Sequence, residues 1–131
     1  MHALTGSWIA NIDKSIRDPN HQFSRATMQF AVDGDQVTLS YGGINARGHE
    51  ERGSQAFVAD GKDHPVQHAA GYVATTTIDQ QSLRSVATRD GEIVGASVYA
   101  VSEDGRAMTA TVSGIDGSGK HFEQIILFDR E

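Results

Sequence analysis

Residues 82–114 read SLRSVATRDGEIVGASVYAVSEDGRAMTATVSG. Two Asp-Gly pairs, Asp90-Gly91 and Asp104-Gly105, cut this stretch into three strand-length pieces rich in Val, Thr and Ala. Asp tolerates the left-handed region and Gly enters it freely, so Asp-Gly between β-forming runs marks a hairpin. The same punctuation recurs along the chain at Asp33-Gly34, Asp60-Gly61 and Asp116-Gly117. Gly42-Gly43, Arg47-Gly48, Gly71 and Asp79-Gln80 supply further breaks. Only four residues are Leu, whereas Val and Ile together number nineteen, a bias toward strands over helices.

The expected strands are Leu4–Ile12, Ser24–Val32, Gln36–Tyr41, Gly48–Ala59 with a bulge at Gly53, Tyr72–Ile78, Ser82–Arg89, Glu92–Val101, Ala107–Gly114 and Lys120–Asp129. A short extended piece, Lys62–Gln67, adds one more. One helical turn at most fits between Asp13 and Phe23, because Pro19 interrupts that segment. Short connections between strands dictate an antiparallel up-and-down meander. A sheet of eight to ten such strands twists, curls and removes its edges by closing. The expected fold is therefore all-β, one barrel domain spanning residues 1–131.

Composition narrows the function. The 131 residues include no Cys, which excludes disulfide frameworks, thiolate metal sites and a cysteine nucleophile. The net charge of −6 argues against a nucleic-acid partner, since phosphate binding needs a basic footprint. No apolar run is long enough to span a membrane as a helix. The start carries no leader-like apolar stretch, so the chain as written reads as cytoplasmic, or as secreted or periplasmic if a leader has been removed.

Gly6-Ser7-Trp8 on the first strand, with Arg130 closing the last, resembles the N-terminal signature of the lipocalins and the wider calycin group. Further matching segments are Asp13-Lys14-Ser15, Asp60 through Val66, Ser102-Glu103-Asp104-Gly105 and Ile126 through Arg130. Over nearly the whole chain the pattern is similar to uncharacterised bacterial lipocalin-like proteins. The resemblance implies that Trp8 plugs one end of the barrel and that Arg130 packs across it. Such a cation–π contact is worth about 0.5–2 kcal/mol. A Thr-Asp-Tyr-like second signature, a two-helix lid and an Arg-x-Tyr clamp on the last strand are missing.

Several motifs have both a chemical and a plain reading. Gly114 to Lys120 has phosphate-loop spacing, but His121 stands where Ser or Thr would hold magnesium, and a strand follows instead of a helix. A hairpin turn is the reading adopted. His64 and His68 are four apart, yet Pro65 spoils a helix and no further ligand converges, so no metal site is assigned. Asp33-Gly34-Asp35 lacks the rest of a calcium loop. His121 with Glu123, and His49 with Glu51, lie two apart and would share a strand face. Either pair is an acid–base couple if it faces the lumen, and otherwise a wet outer face.

Alternation nominates Met28, Phe30, Leu39, Tyr41, Phe57, Tyr72, Tyr99 and Met108 as lining residues. Such a wall suits a small hydrophobic or amphipathic molecule, entering opposite the Trp8 floor, with no cofactor. Two alternatives stay open: an enzyme using lumen His or Glu residues, and a filled structural barrel that acts through its surface.

Overall fold

The computed structural model describes residues 2–16, 23–66, 70–115 and 118–131. Ten strands follow one another: β1 (Gly6–Ile16), β2 (Phe23–Asp33), β3 (Gln36–Asn45), β4 (Glu50–Val58), β5 (Asp63–Pro65), β6 (Tyr72–Ile78), β7 (Ser82–Arg89), β8 (Glu92–Val101), β9 (Ala107–Ile115) and β10 (His121–Arg130). They form one antiparallel sheet in the order β4-β3-β2-β1-β10-β9-β8-β7-β6-β5. The meander closes on itself where β1 pairs with β10, Trp8 lying opposite Arg130. No helix occurs among the described residues.

Closure is not complete. β4 and β5 are neighbours in sequence but form the two free edges of the sheet. β5 is only three residues long and ends on Pro65, which has no N–H to extend a ladder. The connecting segment bonds elsewhere: the Ala59 amide donates to Asp35 O and the Gly61 amide to Thr76 O.

The turns obey the chemistry of their residues. Asp90 and Gly91 both have positive φ, 51° and 82°, the pattern of a type I′ hairpin. At the β2–β3 hairpin the turn is Gly34-Asp35, shifted one residue from the expected Asp33-Gly34, with positive φ at Gly34 alone. Asp116-Gly117 lies outside the described residues, as does the stretch 17–22 that holds Pro19.

Four strand expectations are corrected. Asp13–Ile16 continue β1 instead of starting a helical turn, through a register shift between Asn11 and Ile16. The Ser15 hydroxyl bridges that irregularity: it donates to Asn11 O at 2.7 Å and accepts the Leu127 amide at 3.0 Å. Gly42-Gly43 do not break β3, which runs on to Asn45. The β2 register shifts between Phe23 and Arg25, bringing the Arg25 carbonyl against Gly43, where a side chain would collide with it. Gly53 is not bulged, since β3 and β4 pair without a shift from Gln36↔Val58 to Ile44↔Glu50. It makes room instead for the Tyr41 ring, which fills the space a Cβ would take. Lastly, of the extended piece expected over Lys62–Gln67, Asp63–Pro65 pair as β5, Lys62 and Val66 do not, and Gln67 lies outside the described residues.

The apolar core occupies one end of the barrel. Leu4, Trp8, Phe30, Val37, Leu39, Leu83, Met108 and Phe128 are its fully buried side chains. Phe30 and Tyr99 meet edge to face, ring centroids 5.3 Å apart. At this closed end Arg130 lies 4.1 Å over the Trp8 ring. Its guanidinium donates to Gly105 O, Thr5 O and Ala3 O at 2.7, 2.9 and 2.7 Å. The Trp8 indole N–H donates to Leu4 O at 3.0 Å.

Asp60, Asp79 and Asp104 each grip their own turn. Their carboxylates accept the amides of Lys62, of Gln81 and Ser82, and of Arg106. The Lys62 amide holds the Asp60 pKa below the ordinary 3.8, the Gln81 amide does so for Asp79, and the Ser102 hydroxyl for Asp104. A depressed folded-state pKa means that the unfolded chain takes up these protons first as pH falls. The stabilisation is present in full above about 3.8 and is lost as pH falls through the lower folded values. Thermal unfolding followed from neutral pH downward should show a level Tm that drops below about pH 4. In an Asp79→Asn, Asp104→Asn double variant that acid limb should be shallower; an unchanged limb would remove these turns as its cause.

Candidate functional site

The register carries the inward face of each strand upward from the core. On β6, Ile78 is followed inward by Thr76, Ala74 and Tyr72. Directly opposite on β7 stand Leu83, Ser85, Ala87 and Arg89. On β8 the matching residues are Tyr99, Ser97 and Gly95, and on β9 Ala110, Val112 and Gly114. On β10, Ile126, Gln124 and Phe122 complete the wall. The interior therefore has layers: a packed apolar half, a hydroxyl belt, a ring of small residues and an aromatic, partly charged rim.

The belt is buried and hydrogen-bonded. Thr76 Oγ1 and Ser85 Oγ are 3.0 Å apart, and both residues are buried. The Tyr99 hydroxyl bonds to the Ser97 side chain, while burial pushes its pKa above the usual 10.0. Ser97 and Val112, level with the belt, and Ala74, Ala87, Gly95 and Gly114, above it, are only half-buried, although their strands have neighbours on both sides. Residues this small cannot meet one another across a barrel axis.

At the rim Arg89 lies over the Tyr72 ring, 5.5 Å from its centroid, with Glu92 directly across the β7–β8 ladder. His64 faces inward from β5, and its Nε2 is 3.0 Å from both Asp60 carboxylate oxygens. Glu51, on the inward face of edge strand β4, accepts a bond from Asn45 Nδ2 at 3.0 Å and is exposed.

The nominated lining residues divide by height. Phe30, Leu39, Tyr99 and Met108 belong to the packed core. Met28 and Phe57 are half-buried against that core. Tyr72 reaches the rim, and Tyr41 is 41 % exposed beside Gly53. The acid–base candidates are exposed. His121 and Glu123 alternate with the inward Phe122 and Gln124 and lie on the outer face. There they border a depression of about 460 Å³ with Ile93 and Ile115. His49 precedes β4 in a turn, its amide on Asn45 Oδ1, so it does not share a strand face with Glu51. His68 lies outside the described residues. No group of three or more His, Asp or Glu that could hold a metal occurs among the described residues.

The hydroxyl belt and the small-residue ring escape a reading of the sequence that looks for large apolar residues. Their signal lies in the alternation of Ile78 with Thr76 and of Leu83 with Ser85. A second groove, about 530 Å³, lies against β2, β3 and β4, with Arg25, Thr27, Gly42 and Arg52 on its outer-facing wall.

No known family model matches the chain, and no curated protein matches it in sequence. Solved structures do resemble it. The wild-type fluorescent protein UnaG superposes with a TM-score of 0.63 at 14 % identity, covering 98 % of this chain and 97 % of that one. The zebrafish ileal bile acid-binding protein complexed with cholic acid gives 0.59 at 10 % identity, over 98 % and 99 %. The chain shares with both the fold of an all-β antiparallel barrel.

Proposed function

We propose that the upper half of the barrel binds a small hydrophobic or amphipathic organic molecule, the whole chain acting as one binding module. The observation that carries this reading is the run of half-buried Ala74, Ala87, Gly95, Ser97, Val112 and Gly114 above a fully packed core. A second support is surface area. A compact monomer of this 14.1 kDa mass exposes about 6,700 Å². This chain exposes 8288 Å², an excess in keeping with an unfilled upper half. A third is likeness of fold: the zebrafish barrel was solved with cholic acid, itself an amphipathic molecule.

Titration with the neutral fluorophore N-phenyl-1-naphthylamine tests the reading. Binding should raise and blue-shift the emission, with a Kd on the order of micromolar for a ligand of this size. Ala87→Phe, which fills the ring from within, should weaken binding at least roughly tenfold. Arg84→Phe, on the exposed face of the same strand, should not. Stability adds a second readout. In an unfilled lumen Ala87→Phe is tolerated, whereas in a filled one overpacking costs about 1–3 kcal/mol. A dark wild type, or a destabilised Ala87→Phe protein that still binds, would sink the reading in favour of a filled barrel.

A further inference from the structure

Resting on that cavity reading, we propose that the ligand is an organic anion held with its acid group at the open rim on Arg89 and its neutral end pointing down to the hydroxyl belt. The interior sets this polarity. From the core up to the small-residue ring, the inward positions of β6 to β10 are hydroxyl, aliphatic, aromatic or amide groups, with no charge among them. A carboxylate or sulfonate placed there would lose its water and gain no cation in return. The Thr76, Ser85 and Ser97 hydroxyls both donate and accept, so they suit a neutral polar end.

On β6 to β10 inward-facing charge begins at the rim, and on the edge strands it comes from Glu51 and from His64, which lies level with Ala74. Glu51 repels an anion, and His64 is taken up by Asp60. Arg89 ends β7 on the same face as Ser85 and Ala87, and its guanidinium makes no ion pair with any described residue. Tyr72 holds it from one side and leaves its N–H groups for a ligand. Glu92, paired across from it, adds a negative charge to the rim, which disfavours ligands of higher negative charge most. Arg89 stands four residues above Ser85, which sets a ligand length of about 13 Å. The molecular field acts in the same direction. The closed-end turns carry Asp33, Asp35, Asp79, Glu103 and Asp104, so an approaching anion is repelled most from that end.

A matched pair of probes isolates the charge. N-phenyl-1-naphthylamine and 8-anilinonaphthalene-1-sulfonate share one aromatic framework and differ by the sulfonate. The full chain should bind the sulfonate about tenfold more tightly than the neutral amine, a typical effect of a charge-assisted bond at a partly wet site. Arg89→Gln should erase that preference and leave the amine Kd within about twofold. Added salt should shrink the preference in the wild type only. Equal affinities in the wild type, or a preference that survives Arg89→Gln, would overturn the anchor while leaving the cavity reading intact. Equal weakening of both probes by Arg89→Gln would also overturn it, assigning Arg89 to the shape of the rim. If neither probe binds, or Ala87→Phe disturbs neither, the cavity reading fails first.

Discussion

Trp8→Ala is expected to lower the unfolding free energy by about 3–5 kcal/mol, the largest loss of stability expected from any one substitution in this chain. The indole is fully buried, and its removal leaves a cavity that Phe30, Met108 and Phe128 cannot collapse into without leaving their own packing. The damage spreads because the ring supports a second network. Arg130 lies flat over it and ties three carbonyls, of Ala3, Thr5 and Gly105, from segments far apart in sequence. Small proteins are stable by only about 5–15 kcal/mol, so this variant should unfold at much lower urea with an unchanged m-value. Trp8→Phe should cost less, keeping a ring while losing the bond to Leu4 O. Arg130→Met should be strongly non-additive with Trp8→Ala, because the two side chains share one contact. A loss under about 1 kcal/mol for Trp8→Ala would mean that the floor does not depend on the indole.

The second large effect is expected at Gly6. Its φ of 128° lies where a side chain is strained, and an added Cβ would sit 2.7 Å from Arg130 Nη1. Gly6→Ala therefore combines backbone strain of about 1–3 kcal/mol with displacement of the arginine from its carbonyls. Gly91→Ala is the natural control. That residue also has positive φ, 82°, but nothing lies within 4 Å of the point an added methyl group would occupy. Chemical denaturation should show Gly6→Ala losing clearly more than Gly91→Ala. Equal losses would reduce Gly6 to a turn residue with no part in seating Arg130.

These two positions also show how legible the closed end is. Trp8 and Arg130 are legible through the lipocalin-like resemblance, which implies that an indole on the first strand and an arginine on the last meet at one end of the barrel, and the structure places them in contact. The hairpins are readable for a local reason: Asp-Gly carries its conformation with it wherever it stands. The departures arise where distant strands act on one another. Gly42-Gly43 has the look of a break because glycine ends strands, but at Gly43 the Arg25 carbonyl opposite makes glycine a requirement of continuing. Ser15 has the look of a helical turn, but it serves the Leu127 amide on the strand that closes the barrel.

The candidate site is less legible, and the reason is geometric. Alternation along a strand says which side a residue faces but not how high it sits. Large apolar residues on the inward side suggest cavity lining, yet Phe30, Leu39, Tyr99 and Met108 sit in the packed half. Parity on β10 is hidden in Ile125-Ile126-Leu127-Phe128, apolar on both faces; pairing with β9 turns Ile126 and Phe128 inward and sends His121 and Glu123 outward.

By itself, then, the chain's order of residues determined the strands and most of their turns, because each is written in short-range chemistry. Only the tertiary structure decided which inward residues are buried and which are half-buried, where the sheet stays unpaired, and which charged side chains turn inward. Those depend on register between strands distant in sequence, and register is set by the packing of the whole sheet rather than by any segment alone.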